Sequence, residues 1–277
     1  MLGFLWLGGC STLQLAYSQA PNLLYWWIDG YIDFSKEQGP AVRSALAELH
    51  SWHRSSELPK TIAVLQKAQA LLPGTVTAPQ ACGIFDEVRG LTSAITEHAL
   101  PGIADFSANV TAQQLDKLQR KYQKNNDEFS RNFIQAKPEE RKAKRMKGAI
   151  ERSERIYGKL GDAQLQAIDA AIDSSSFDAT LALKEYERRQ KDAVDTLRQI
   201  SLTKPEPTAA QAALRAYIER SLKSPDLTYR QYAAKLVQES CESFAAVHAS
   251  TTPAQRAKAV QTLKGYEGDL LAASGQK

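Results

Sequence analysis

The densest group of polar and aromatic side chains in the sequence contains His50, Trp52, His53, Arg54 and Glu57. On an α-helix, the two histidines and Glu57 would fall at i, i+3 and i+7 on one face. That arrangement suits three metal ligands or an acid–base group. It suits packing near a helix end equally, with Glu57 paired to Arg54 and both imidazoles hydrogen-bonded. We favour packing, predict no metal ligand and no catalytic residue, and keep the group as a candidate functional surface.

A second candidate surface is basic. The segment 137–159 carries nine Lys or Arg against four Glu, whereas the whole chain has a net charge of only +4. An exposed helix with i,i+4 ion pairs, such as Glu140–Lys144, would make this an ordinary solvated face. The functional alternative is contact with anionic lipid headgroups or acidic protein segments. The candidate basic patch consists of Arg141, Lys142, Lys144, Arg145 and Lys147.

The low overall charge and the absence of known motifs exclude several function classes. A nucleic-acid-binding protein usually has a stronger basic excess, so we predict no nucleic-acid partner. The sequence contains no P-loop, no dinucleotide fingerprint and no G-x-S-x-G, and therefore suggests no cofactor and no small-molecule substrate. We predict that the protein is not an enzyme.

The N-terminus carries the most specific signal. An apolar run ends in Leu7-Gly8-Gly9-Cys10-Ser11, which resembles the bacterial lipobox at the end of a secretory signal. The resemblance implies cleavage before Cys10 and acylation of its thiol and new amino group, and two or more acyl chains anchor a protein stably. No Lys or Arg precedes Cys10, so we expect the signal to be incomplete at its start. Ser11, rather than Asp, implies the outer membrane.

Two further cysteines, Cys82 and Cys241, remain. In an oxidising periplasm they are candidates for a disulfide. The bond would close a loop of about 160 residues and stabilise the fold by up to roughly 5 kcal/mol. The alternative is two buried free thiols, because Cys is among the most buried residue types.

The segment 25–34 is rich in aromatic residues and lies close to the predicted lipid anchor. Trp and Tyr favour the bilayer interface, so a helix here could lie on the membrane. The alternative is a core helix, which we favour. Its core stripe at helical spacing would consist of Leu23, Leu24, Trp27, Ile28 and Tyr31.

Helical periodicity continues through almost the whole chain from Pro21, and strand-like alternation is absent. The pattern predicts shorter helices first, the second ending before Pro59, and then a break at Ala99-Leu100-Pro101-Gly102. Longer helices follow over about 112–135, 139–160, 162–173, 177–200, 208–222, 227–248 and 253–273. We therefore predict a signal over 1–9, a lipid-anchor tether over 10–20 and a helical domain over 21–275, with two subdomains dividing near 99–110.

Several of these helix starts share one pattern, T-x-x-Q. It begins at Thr77, Thr111, Thr208 and Thr252, and Gly161 begins a near variant. Thr at the N-cap accepts a hydrogen bond from the third helical amide, and the Gln reaches back to the amide of the cap. Each box contributes about 1 kcal/mol to its helix. The irregular spacing of the boxes does not indicate a solenoid.

Three stretches resemble an uncharacterised family of Gram-negative lipoproteins defined only by a domain of unknown function. They are Gly9-Cys10-Ser11 with Leu15-Ala16-Tyr17 and Leu23-Leu24-Tyr25-Trp26-Trp27; Leu49-His50-Ser51-Trp52-His53-Arg54 with Glu57-Leu58-Pro59; and 248–266 with Gln255-Arg256. The resemblance implies a helical periplasmic body and no known activity. The T-x-x-Q boxes also resemble, more weakly, the L-T-x-x-Q motifs of Spy-type periplasmic chaperones, although capping alone explains them.

Together these observations predict an all-α multi-helix bundle with long antiparallel helices, anchored by lipid to the cell envelope and facing the periplasm. Three functions stay open. The first is a non-enzymatic protein-binding or chaperone-like domain, and the second is an assembly scaffold with one dedicated envelope partner. The third and weakest is an enzyme or metal site around His50, His53 and Glu57.

Overall fold

The computed structural model describes residues 12–275, which are helical almost throughout and contain no strand. The predicted all-α bundle is confirmed. The helices are α1 (Thr12–Ser18), α2 (Ala20–Ile32), α3 (Gln38–Trp52), α4 (Leu58–Leu71), α5 (Ala78–Ser107), α6 (Ala112–Ser130), α7 (Pro138–Tyr157), α8 (Asp162–Asp173), α9 (Ala179–Thr203), α10 (Pro207–Leu222), α11 (Leu227–Ala249) and α12 (Pro253–Ser274). Two π-helical turns, His53–Glu57 and Arg131–Gln135, follow α3 and α6.

The predicted capping boxes fix the starts of α5, α6, α8 and α12. Thr77, Thr111 and Thr252 each form both halves of the box at the start of α5, α6 and α12. Gly161 has no side chain, so before α8 only its amide takes part, donating to Gln164 Oε1 at 2.8 Å. The box predicted at Thr208 is wrong, because α10 begins one residue earlier, at a proline whose fixed φ suits the first helical position.

The segment expected to be a tether is helical from Thr12 onward. Leu13 and Tyr17, four residues apart on α1, pack against a core cluster that includes Leu58 and Leu270. The burial of these two side chains holds α1 against α12, which a flexible tether would not allow. The predicted signal over 1–9 and the lipidation site Cys10 lie outside the described residues.

The helix break expected at Ala99–Gly102 is wrong, because α5 continues through Pro101. Leu100 and Ala104, on either side of the proline, are buried against α9 and α10. This packing holds the helical path where local propensity opposes it. Gly102 allows α3 to approach closely, since a Cβ at this position would lie 3.2 Å from the Cβ of Ala45.

The helices pack as two groups that share α5. One group contains α2, α3, α6, α9 and α10, and the other contains α1, α4, α7, α8, α11 and α12. Each group contains helices that precede residues 99–110 in the chain and helices that follow them. A division of the chain there therefore does not separate the two groups.

A disulfide between Cys82 and Cys241 ties α5 to α11, with the two Cα atoms 5.4 Å apart. Cys241 is fully buried in a small core cluster with Val76 and Ala81. Helix α11 thus places its cysteine against the first turn of α5, where Cys82 lies one residue beyond Ala81.

The core stripe expected on α2 is wrong for three of its members. Leu23, Leu24 and Trp27 are exposed, while Tyr25 and Ile32 are the buried residues of this helix. Ile28 and Tyr31 do pack against a core cluster around Ile32. Periodicity found an apolar helix correctly but could not decide which of its apolar sides faces the core.

Candidate functional site

The predicted histidine cluster lies where α3 meets α4, in the π-helical turn 53–57. The amide of Leu58 donates to the carbonyl of His53, five residues earlier. Pro59 has no amide hydrogen, and its ring would clash with the carbonyl four residues before it in a regular α-helix. A π-turn avoids that clash, and it changes the angular spacing of the side chains. The expectation of one α-helical face at i, i+3 and i+7 is therefore wrong.

Aromatic contacts fill most of this cluster. Tyr17 Oη lies 2.9 Å from His53 Nδ1, and the Tyr17 ring centroid lies 4.8 Å from that of His50. Trp52 stacks on His98, with centroids 3.9 Å apart and planes 5° from parallel. The two histidines and the tryptophan thus join α1, α3 and α5 at one point.

Glu57 is the least accessible member of the cluster, with 2% of its surface exposed. One carboxylate oxygen pairs with Lys60 at 2.7 Å, rather than with Arg54 as expected. Its other oxygen and His50 Nε2 are buried and have no hydrogen-bond partner among the described residues. Burial lowers the pKa of His53; the Glu57 carboxylate opposes this shift, and His50 adds to it.

The cluster has the contacts of a packed helix junction. Within the described part of the chain, no three His, Cys, Asp or Glu side chains are arranged to hold a metal ion. Among the residues that the structure describes, the His53 ring bonds only a tyrosine hydroxyl, and Glu57 is buried. These contacts favour the packing interpretation of the residues over the metal or acid–base interpretation.

Two lysines of the basic patch on α7 have carboxylate partners, and two further residues of the patch contact neutral groups. Lys142 lies 2.7 Å from Asp169 and 2.8 Å from Asp173, both on α8. Lys144 bonds Asn132, Lys147 lies 4.0 Å from Glu151, and the Arg145 guanidinium lies 5.1 Å from the centroid of the Phe177 ring. Among the described residues, Lys142 is thus the one member of the patch with carboxylates within 3 Å, and the positive charge of this face is reduced mainly there.

Sequence reasoning missed a cleft of about 900 Å³ among the described residues. It lies where the α2–α3 turn, α3, the end of α5 and the start of α6 meet. We call it the α3–α6 cleft. Its lining residues are Ile32, Asp33, Phe34, Ser35, Lys36, Glu37, Gln38, Ala41, Val42, Ala45, Gly102, Asp105, Phe106, Asn109, Thr111, Gln113, Gln114, Lys117 and Arg120.

Two glutamines hold the ends of the cleft together. Gln38 donates to the carbonyl of Asn109 at 3.0 Å, and Gln114 donates to the carbonyl of Asp33 at 3.0 Å. The two side-chain amides also bond each other at 2.6 Å. Since both carbonyls lie at helix ends, this exchange fixes the start of α3 against the start of α6.

A capping box at Ser35 is the local signal that could have revealed this cleft. The Ser35 amide donates to Gln38 Oε1 at 3.0 Å, and the Gln38 amide donates to Ser35 Oγ at 3.2 Å. The sequence S-x-x-Q is a capping box like T-x-x-Q. Because this box begins with Ser, the T-x-x-Q pattern does not include it. What no local pattern predicts is that Gln38 then meets Gln114 across the fold.

The walls of the α3–α6 cleft combine apolar, amide and charged groups. Phe34 and Phe106 meet edge to face, with centroids 5.3 Å apart. Lys117 lies 3.1 Å from Asp33 at the rim. A hydrogen bond from Ser35 lowers the pKa of the Glu37 carboxyl, which keeps this rim group ionised. Apolar surface rimmed by charges of both signs is typical of protein-binding sites.

Comparison with known proteins places most of this chain in one family. A family of unknown function, DUF6279, matches residues 30–230. The chain belongs to DUF6279. No curated protein and no solved structure matches it. The DUF6279 match includes both the α3–α6 cleft and the histidine cluster, whereas α1 and α12 lie outside it.

Proposed function

We propose that this DUF6279 protein is a non-enzymatic envelope lipoprotein that binds other proteins through the α3–α6 cleft. Cys10 would carry the lipid and hold the helical body at the outer membrane, on its periplasmic side. The observation that carries the binding role is the cleft itself, about 900 Å³ in volume and formed by the ends of several helices.

The chemistry of the cleft supports a peptide segment as its ligand. Val42, Ala45 and the two phenylalanines offer apolar contact, while Lys36 and other rim charges can pair with either sign on a partner. Specific interfaces commonly combine an apolar centre with a polar rim. The Gln38–Gln114 exchange holds this surface in one shape, which lowers the entropy that binding would otherwise cost.

The pairing of Lys142 on α7 also favours the cleft over the basic helix. Lys142 is already held by two aspartates, so an acidic client would have to displace them. Salt-dependent binding along α7, expected for a polycationic chaperone surface, therefore has less support than binding in the cleft.

A substitution pair on α3 tests the proposal. Ala41 is exposed and lines the cleft, whereas Ala47 is exposed on the same helix and does not line it. Ala41→Trp should fill the cleft, and Ala47→Trp is the matched control. We would measure how full-chain protein suppresses aggregation of reduced, unfolding α-lactalbumin, and which envelope proteins co-purify with it.

Loss of aggregation suppression in Ala41→Trp alone would support a client-binding protein. If the protein does not suppress aggregation but one stable partner is lost in Ala41→Trp, the scaffold function is supported instead. Equal behaviour of the two variants in both assays would contradict any binding role for the cleft.

A further inference from the structure

The largest exposed aromatic surface near the N-terminus has no role in the proposed protein binding. On α2, Trp26 and Trp27 are each 63% exposed, and Leu23 and Leu24 are 56% and 43% exposed. Leu15 on α1 is 59% exposed. We call these five residues the aromatic face. Large apolar side chains gathered on one side of a surface helix mark an interaction site.

We infer that the aromatic face lies in the interfacial layer of a lipid bilayer, with α2 parallel to the membrane surface. Trp rings prefer this layer, where an apolar body meets a hydrated edge. No charged residue lies between Cys10 and Asp29, so the segment from the proposed anchor through the aromatic face can enter the layer without burying a charge. The described residues contain no helix able to cross a membrane. A helix that lies on the membrane surface does not need the length or the apolar character of a spanning helix.

The position of the aromatic face in the chain also supports contact with the lipid bilayer. This inference rests on the proposed lipidation of Cys10, which would place that residue at the membrane. Helix α1 begins two residues later, at Thr12, so its start lies at most about 7 Å from the anchor. Backbone bonds from Gln19 to Leu15 and from Leu23 to Gln19 carry the helical path on into α2. The anchor therefore keeps the aromatic face near the bilayer.

A second copy of the chain is a poorer occupant. The thirteen residues of α2 form a helix about 20 Å long, and a face about 10 Å wide covers roughly 200 Å². A stable protein interface needs about 800 Å² from each partner.

At one edge of the aromatic face, the Arg43 guanidinium lies 5.3 Å from the centroid of the Trp26 ring, where it can meet a lipid phosphate.

Vesicle flotation tests the inference without the lipid anchor. Full-length protein carrying Cys10→Ala, which cannot be acylated, would be mixed with phosphatidylcholine vesicles. Trp26→Ser with Trp27→Ser removes both tryptophans of the aromatic face. Leu202→Ser with Leu222→Ser is the control, since both leucines are highly exposed elsewhere. Vesicles without net charge give α7 no electrostatic attraction. All four side chains are exposed, so circular dichroism should show unchanged helix content.

The Cys10→Ala protein and the leucine control should float. The tryptophan variant should partition roughly tenfold or more weakly, because it loses apolar area buried in the interface. Equal flotation of both variants, or none by the Cys10→Ala parent, would overturn the inference. A dimer in light scattering that the tryptophan variant dissociates would also overturn it and make a second copy the occupant. The mass of the N-terminal peptide of wild-type protein reports acylation separately, so failure of the lipoprotein proposal remains distinguishable.

Discussion

His248 shows at the scale of one residue how this fold uses a polar side chain inside its core. It is fully buried, and its two ring nitrogens bond Tyr157 Oη at 2.9 Å and the carbonyl of Gly74 at 2.8 Å. The carbonyl can only accept, so Nε2 carries the hydrogen and Nδ1 accepts from the tyrosine. One neutral histidine thus connects α11 with the end of α7 and the turn after α4.

Burial lowers the pKa of His248; the Gly74 carbonyl opposes this shift, and the positive charge of Arg256 adds to it. The folded state therefore favours the neutral ring, and the unfolded chain binds the proton more tightly. The stability due to His248 should be complete above its ordinary pKa of 6.5 and be lost as the pH falls through the lowered value. Urea unfolding between pH 8 and pH 5 measures this loss.

His248→Ala should lower the free energy of unfolding by about 2–4 kcal/mol at neutral pH, because it leaves a cavity and two unpaired polar groups. It should also reduce the loss of stability that the wild-type protein shows as the pH falls. The part of that loss due to His53 would remain. The exposed His98 is the control, and His98→Ala should cost less than about 1 kcal/mol. An unchanged pH profile in His248→Ala would contradict this account of the buried histidine.

At the scale of the helix, the capping glutamines are more than local caps. Gln255 donates to the carbonyl of Lys159 at 3.1 Å, and Gln164 donates to the carbonyl of Ser250, so the starts of α8 and α12 exchange bonds. The same exchange joins α3 and α6 at the cleft. In each case the side-chain amide of the glutamine donates to the carbonyl of the residue two positions before the first residue of the other helix's capping box.

Gln164→Ala should therefore destabilise the protein more than a simple cap does. It removes the bond to the Gly161 amide and leaves the Ser250 carbonyl without this donor, an expected loss of about 2–3 kcal/mol. Gln80 forms a box with Thr77 but is exposed, so Gln80→Ala should cost only about 0.5–1 kcal/mol. Thermal unfolding of the two variants compares their losses of stability. Equal losses would contradict the account, because both glutamines would then act only as local caps.

Helix positions were largely predictable because caps, prolines and apolar periodicity are local. The starts of α6, α8 and α12 follow directly from Thr111, Gly161 and Thr252. The continuation of α5 through Pro101 was not predictable, since it depends on packing against α9 and α10. The π-turn also escaped prediction, because Pro59 is as compatible with a helix end as with a π-turn.

At the scale of the whole molecule, the proposed binding surface is one that distant parts of the chain form together. The two walls of the α3–α6 cleft come from segments about 70 residues apart, as the bond between Gln38 and Asn109 shows. The sequence analysis identified the histidine cluster as a candidate surface instead, because the residues of that cluster are close together in the sequence. The fold packs those neighbours together, with Glu57 covered and Trp52 stacked on His98, and leaves the cleft open to solvent.

Photo-crosslinking in growing cells is the most direct test of the cleft as a protein-binding site. A benzophenone amino acid would replace Ala41 inside the cleft or Ala47 outside it, in the full-length chain. The account predicts crosslinks to other envelope proteins from position 41 and few or none from position 47. Crosslinks of equal yield from both positions, or none from position 41, would contradict the proposal that this protein binds its partners in the α3–α6 cleft.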